Sequence, residues 1–406
     1  MPRRPAGLLV LSACLALTAC GGGGGGGGGS PAPFVSGGGG EHGHSAAPAK
    51  ASEPKATVQL GFPAFATKNT TRIGGSDAVV DAAGAALAVF PSASPATRPP
   101  AVALADVNDW RAATAAAALM APPVRAPLLL SDGSSLPAAT STALAELGPK
   151  GSGDAGGSQI VAVGATPPEP KGQRTTRISG GSKDPAALAA AVDRFLTAAK
   201  GKPSPDVVVV GSALAPFGVP AAAWAAKSGD PVLFTDRDSV PSATLNALRT
   251  HAHPRIFVLG PPSSVGPKAM AALGKLGAVV RIAGADPVRN AIAFARYRSG
   301  AFGWGIVDPG HGLVVASAAR PLDGPASAAL SSSGDYGPLL LVSGAEKLPA
   351  PLQSFLLDIQ PGFRTDPVRG VYNRAWVIGD ADVISVAAQA RLDQLLEIAP
   401  VDQSAR

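Results

Sequence analysis

The chain has 406 residues, of which 46% are hydrophobic and 15% charged, a balance that can bury a sizeable core and that excludes a disordered scaffold. Its 50 glycines and 40 prolines follow no three-residue period, so a collagen-like architecture is excluded as well. The formal charge of +6 falls to +4 once Arg3 and Arg4 leave with an N-terminal signal, and without a Lys/Arg cluster this surplus does not point to nucleic acid.

Residues 1–19 read as a signal peptide, with Arg3 and Arg4 as the charged region, Gly7 to Leu17 as the apolar region and Leu17-Thr18-Ala19-Cys20 at the cleavage site. The Leu-x-Ala-Cys order resembles that of bacterial lipoproteins. That resemblance implies that Cys20 becomes the lipidated first residue, and that the protein is exported and anchored to the outer face of the cell membrane, facing the cell wall. The alternative is an ordinary secretory signal with an incidental cysteine. Cys14 lies inside the signal, so the folded part has no thiol for a disulfide, a metal thiolate or a nucleophile. No later stretch is apolar for the roughly 18 residues that a membrane span needs.

Residues 20–56 read as a flexible tether, because Gly21 to Gly29 are consecutive glycines and Pro31, Pro33 and Gly37 to Gly40 follow. A Gly-rich coil of this length has a root-mean-square span of about 30–36 Å. Glu41-His42-Gly43-His44 offers three ligand groups but no preorganisation, so neither a metal site nor a cofactor is expected.

The rest of the chain, about 350 residues and thus two or three domains, repeats itself. Thr71-Arg72-Ile73-Gly74, Thr176-Arg177-Ile178-Ser179 and Val280-Arg281-Ile282-Ala283 recur with their arginines 105 and 104 residues apart. A second block, Leu128-Leu129-Leu130-Ser131, Val232-Leu233-Phe234-Thr235 and Leu339-Leu340-Leu341-Val342, leads to Pro137, Pro241 and Pro349. Each proline is expected in the first turn of a helix, where its missing N–H costs nothing. Each unit then closes on an apolar strand ending in glycine: Ile160 to Gly164, Ile256 to Gly260 and Trp376 to Gly379. Short apolar runs such as Val207 to Val210 show no polar alternation, so both sheet faces should be covered by helices. The expected fold is α/β: three tandem modules over 57–165, 166–274 and 275–400, each a parallel sheet flanked by helices.

These residues resemble the bacterial cell-wall-binding repeat type 2 family, which usually occurs as three tandem copies. The openings match at Arg72, Arg177 and Arg281, and the family's third strand matches at Pro127 to Leu130, Pro231 to Thr235 and Pro338 to Leu341. The family's Asp-Arg-Tyr signature is reduced to Asp77-Ala78-Val79, Asp184-Pro185-Ala186 and Asp286-Pro287-Val288. The resemblance implies a pseudo-threefold arrangement that holds an anionic cell-wall polymer or peptidoglycan-linked glycan in grooves between modules, with a monomer as the expected state.

Two roles are open to Arg72, Arg177 and Arg281. Each can present a planar fork to phosphate or carboxylate on a repetitive polymer. Alternatively, each can pair internally with Asp77, Asp184 or Asp286. Catalytic signatures are absent: there is no G-x-S-x-G, H-E-x-x-H, Walker-type or Rossmann motif. His251-Ala252-His253 reads as a solvated loop. Asp308-Pro309-Gly310-His311-Gly312 is placed where a strand of the third unit ends, and reads as a turn rather than a catalytic site. A non-enzymatic, wall-attached lipoprotein is therefore the leading expectation. A solute-binding lipoprotein of a transporter, a structural or protein-interaction scaffold with eroded polymer sites and a wall hydrolase are the alternatives.

Overall fold

The four consecutive valines Val207 to Val210 lie in a strand buried along its whole length, as the lack of alternation requires. The computed structural model describes residues 64–181, 184–333 and 336–401. The signal, Cys20, the tether and Glu41-His42-Gly43-His44 lie outside them.

In chain order, the first elements are β1 (Phe65–Ala66), β2 (Thr70–Ile73) and α1 (Ala78–Val89). They are followed by β3 (Val102–Asp106), α2 (Trp110–Ala116), β4 (Leu128–Ser131), α3 (Ala138–Leu147), β5 (Ile160–Val163) and β6 (Thr175–Ile178). After α4 (Pro185–Lys200) come β7 (Asp206–Gly211), α5 (Ala215–Gly218), α6 (Pro220–Ser228), β8 (Val232–Thr235) and α7 (Ser242–Thr250). Next are β9 (Arg255–Leu259), α8 (Pro267–Leu273), β10 (Ala278–Ile282) and α9 (Pro287–Arg296). The chain continues through β11 (Gly312–Ser317), α10 (Asp323–Ser331), β12 (Tyr336–Val342), α11 (Ala350–Asp358) and β13 (Gly362–Phe363). It ends with β14 (Arg374–Ile378), α12 (Val386–Leu396) and β15 (Ala399–Pro400).

Among the described residues three parallel sheets of one strand order result, β4-β3-β5-β6, β8-β7-β9-β10 and β12-β11-β14-β2, with β1 added antiparallel to the outer edge of β2, and β13 and β15 form a short parallel pair. The sheets are nevertheless one strand out of step with the sequence repeats 57–165, 166–274 and 275–400. Each Arg-Ile strand completes the sheet of the preceding repeat, and β2 from the first repeat completes the third sheet, with Arg72 opposite Val377 and Ile73 opposite Ile378. The cause lies in the helices that follow these strands. Asp77, Asp184 and Asp286 cap α1, α4 and α9 through their carboxylates, and each helix carries the chain on to pack against an edge strand of the next sheet: β4, β8 and β12 respectively.

The helices that follow the first strand of each sheet, α2, α6 and α10, pack against one another. Their contact faces are built of small residues, among them Ala115, Ala116, Ala222, Ala225, Ala326 and Ala329, all buried, which lets the axes approach closely. Gly324 marks the tightest point, since a Cβ there would lie 2.9 Å from the Val219 side chain and 3.0 Å from Leu339. Pro137, Pro241 and Pro349 stand one residue ahead of their expected place. They are the N-cap residues of α3, α7 and α11, with extended backbone (ψ 155°, 147° and 140°).

Candidate functional site

Side chains at the carboxyl ends of the strands are where an α/β sheet offers chemistry, and all three sequence-predicted arginines reach that edge. Arg72 is 4% exposed. Its Nη1 donates to the Gly379 carbonyl (2.7 Å) and the Asp380 carbonyl (2.8 Å), its Nη2 to the Ile384 carbonyl (2.7 Å) and its Nε to Gln389 Oε1 (2.7 Å). Arg177 donates from Nη1 to the Gly164 carbonyl and from Nη2 to the Pro167 carbonyl, both at 2.9 Å, and its Nε and Nη2 reach Glu169 Oε1. Arg281 donates to the carbonyls of Gly260 and Val265, both at 2.6 Å. The three arginines thus perform one job. Each grips the glycine that ends the neighbouring strand (β14, β5 or β9) and a second carbonyl farther along the same loop.

This is a role beside the two open from sequence. Each guanidinium donates to main-chain carbonyls, with Gln389 and Glu169 as further acceptors of Arg72 and Arg177, and the carboxylates of Asp77, Asp184 and Asp286 cap helices. Burial lowers the pKa of both Arg72 and Arg281, and the charges of Asp380 and Asp81 partly offset the effect at Arg72.

Beside each clamp the linker helix meets the first strand's following loop, and the three junctions are filled differently. In the third sheet the fully buried Asp81 of α1 accepts from the Gly75 N–H (2.9 Å) and from Arg320 Nη2 (2.8 Å). The same Nη2 donates to Asp323 Oδ1 (2.9 Å). Arg320 Nε also lies 2.9 Å from Asp323 Oδ2, without hydrogen-bond geometry, so that contact is charge pairing only. In the second sheet the counterpart of Asp81 is Asn290, fully buried, which accepts from the Gly284 N–H and donates to the Phe217 carbonyl. In the first sheet the counterpart is Leu188, and a crevice of about 500 Å³ remains, floored by Leu188, Val163 and Ala112 and rimmed by Asp106, Asp109 and Asp184. Among the described residues no histidine, cysteine or serine nucleophile paired with a base lines it.

The histidines depart from their sequence reading. Asp308-Pro309-Gly310-His311 precedes β11 rather than following a strand, so it sits at the amino end of the sheet; His311 Nε2 lies 3.0 Å from Asp308 Oδ1 in an exposed turn. The displacement arises because the segment between α9 and β11 is longer than in the other repeats and folds on itself, with Ser299 bridged to Phe302. His251 is not solvated: it caps α7 and is buried, with Nδ1 2.7 Å from the Ser204 carbonyl and Nε2 2.9 Å from Asp193 Oδ2 of α4. Two acceptors on one ring call for both N–H groups, which is the imidazolium form.

Burial by itself lowers the His251 pKa, but the hydrogen bond and charge of Asp193, the Ser204 carbonyl and the charge of Asp230 raise it overall. A folded-state pKa above the unfolded value near 6.5 means that the pair stabilises fully below that pH and is lost as pH rises through the folded pKa. The equivalent positions in the other two α-helical contacts are Ala86 with Leu147 and Ala295 with Ile359, all buried. Thermal unfolding across pH should therefore show a loss of stability above about pH 6.5 that disappears in Asp193→Ala/His251→Leu. The single change His251→Leu, which leaves a buried carboxylate alone, should cost about 3–5 kcal/mol. A pH profile unchanged in the double variant would rule out the pair as its source.

With this architecture in view, the chain can be placed among solved structures. It superposes with a TM-score of 0.61 on Cwp8 from Clostridium difficile, at 17% identity over 81% of this chain and 52% of that one. For Cwp6 from Clostridium difficile the TM-score is 0.59, at 15% identity over 79% of this chain and 48% of that one. The chain shares their fold. It spans about half the length of each of these two proteins. No protein-family model and no curated protein matches the sequence.

Proposed function

We propose that the protein is a non-catalytic, lipid-anchored surface protein that attaches to an anionic cell-envelope polysaccharide. Its three sheets would stand in a pseudo-threefold arrangement within a monomer, outside the cell membrane and facing the wall. The observation that carries this reading is the threefold recurrence of one arginine clamp. The residues through which the chain resembles cell-wall-binding repeats, Arg72, Arg177 and Arg281, make the same bonds to Gly379, Gly164 and Gly260 in three sheets of one strand order.

The fold held in common with Cwp8 and Cwp6 supports the reading at the level of architecture. Three sheets of one order also disfavour a solute-binding design, which needs two lobes. The eroded Asp-Arg-Tyr signature is consistent with these positions holding the fold together rather than holding a ligand.

The test is sedimentation of the folded chain with purified envelope fractions across a salt series. Co-sedimentation at low salt that weakens as salt is raised is expected, because exposed ionic contacts are screened. Protein that stays in the supernatant with every fraction at low salt would end the reading.

A further inference from the structure

The linker helices carry a second repeated feature, on the outside of the molecule. Counted from the capping Asp184, Ala190 and Arg194 of α4 face Asn246 and Thr250 of α7 across a groove of about 320 Å³. Counted in the same way from Asp286, Ile292 and Arg296 of α9 face Ser354 and Asp358 of α11 across a groove of about 570 Å³. Every residue of the first set has its counterpart at the same offset in the second. Arg194 and Arg296 both stand ten residues after the cap. The third junction has Leu87 at that offset, and there α1 and α3 close on each other through an apolar cluster that includes Ala83, Ala143 and Leu87.

Charge separates these grooves from the acidic crevice of the first sheet. Among the described residues no carboxylate lines the α4/α7 groove, and Arg194 is exposed and makes no salt bridge. Arg249 adds a second cation at the rim, donating from Nη1 to Asn246 Oδ1 (2.7 Å). In the α9/α11 groove the Arg296 guanidinium lies 5.0 Å from the Phe355 ring centroid, which holds its plane. It pairs there with Asp358, and Arg289, whose side chain is 56% exposed and pairs with the capping Asp286, stands on the same lining. Planar guanidinium forks above a floor of small side chains suit phosphate or carboxylate groups on a narrow chain.

We infer that the α4/α7 and α9/α11 grooves are two equivalent binding sites for the anionic groups of a repetitive glycan, with Arg194 in the first and Arg289 and Arg296 in the second. The inference rests on the envelope-polymer reading and sharpens it: the valency is two, because Leu87 closes the third junction. The α4/α7 groove is the tighter site, because Asp358 competes for Arg296 and Asp286 for Arg289 in the other.

Equilibrium dialysis with short oligomers tests this on the folded chain. The probes are a glycerol phosphate tetramer, a galacturonate tetramer and, as the neutral control, maltotetraose. The phosphate and carboxylate arms show which anion the grooves prefer. Two anionic oligomers should bind per protein, falling to one in Arg194→Gln, to one in Arg289→Gln/Arg296→Gln and to none in the triple variant, with circular dichroism unchanged. Because Arg296 also packs on Phe355, Arg289→Gln alone serves as the variant that leaves packing intact, and it should weaken the second site severalfold. Two oligomers still bound by the triple variant, a third site in the wild type, or equal binding of maltotetraose would overturn the inference. Wild-type protein that sediments with envelope fractions yet binds neither anionic oligomer would remove the grooves and leave the attachment reading standing. Binding to neither oligomers nor envelope would remove both.

Discussion

Arg72→Met is expected to destabilise the protein by about 3–5 kcal/mol, although it removes no hydrophobic contact and no direct salt bridge. Three carbonyls, of Gly379, Asp380 and Ile384, and Gln389 Oε1 would lose their donor together at a site closed to solvent. Each buried acceptor left without a partner costs about 1–3 kcal/mol, before partial relaxation and water entry reduce the sum. Lysine should not rescue the variant, since a single ammonium cannot span acceptors placed for a planar fork. Arg177→Met makes the internal control. The same clamp there has a side chain 27% exposed, so water can take over its acceptors, and the cost should stay near about 1 kcal/mol. Urea unfolding of the two variants in parallel decides the matter, and equal losses would show that burial does not set the strength of the clamp.

Arg320→Met should be comparably damaging, for an electrostatic reason. Asp81 of α1 and Asp323 of α10 are both fully buried, and Arg320, on the loop between β11 and α10, is the cation between them. Breaking such a group by removing one member typically costs about 3–5 kcal/mol, because the remaining charge stays buried. Burial and the neighbouring Asp323 push the Asp81 pKa up to about 8, against the pull of Arg320 and the Gly75 N–H. Burial pushes Asp323 up to about 6, against the same arginine.

Folded-state pKa values above the unfolded ones mean that the stability these groups contribute is fully present at acid pH and declines as pH rises from about 4 towards about 8. The variant Arg320→Met should steepen that decline. Adding Asp81→Asn, the type found at the equivalent Asn290, should recover part of the loss at neutral pH. Denaturation midpoints for the single and double variants from acid to mildly alkaline pH provide the check, and a double variant no more stable than Arg320→Met would count against charge burial as the cause.

Much of the architecture was legible in the sequence because it depends on local pattern. Unbroken apolar runs became buried parallel strands, and the repeated prolines stood directly ahead of helices. The pairing of strands was not legible, since nothing local in Thr70 to Ile73 says that its neighbour is Ala375 to Ile378 at the far end of the chain. The arginines stood out by their recurrence, but most of their partners are main-chain carbonyls, which carry no side-chain signature. His251 was misjudged because its partner Asp193 lies on another helix, and a His-x-His pair beside a turn looks polar until that helix is placed.

Two signals were present and readable. Arg194 and Arg296 share an offset from Asp184 and Asp286, and Asp81, Leu188 and Asn290 share an offset from their caps, so a three-way alignment of the repeats picks out both sets as positions where the copies diverge in chemistry.

The position of β2 also orders events in time. The strand is among the first of the folded region to be made, yet its partner β14 is made near the end, so the first two sheets can form while the third waits for nearly the whole chain. Until then the β2 edge that β14 will cover stands open, with main-chain donors and acceptors available to any other strand, a hazard in a chain of this length. Closing so long a loop adds little to the equilibrium cost, since loop entropy grows only with the logarithm of length, but such a distant contact slows the search. The described region therefore closes like a clasp, β2 and β14 meeting last, and removing either takes a strand from the same sheet.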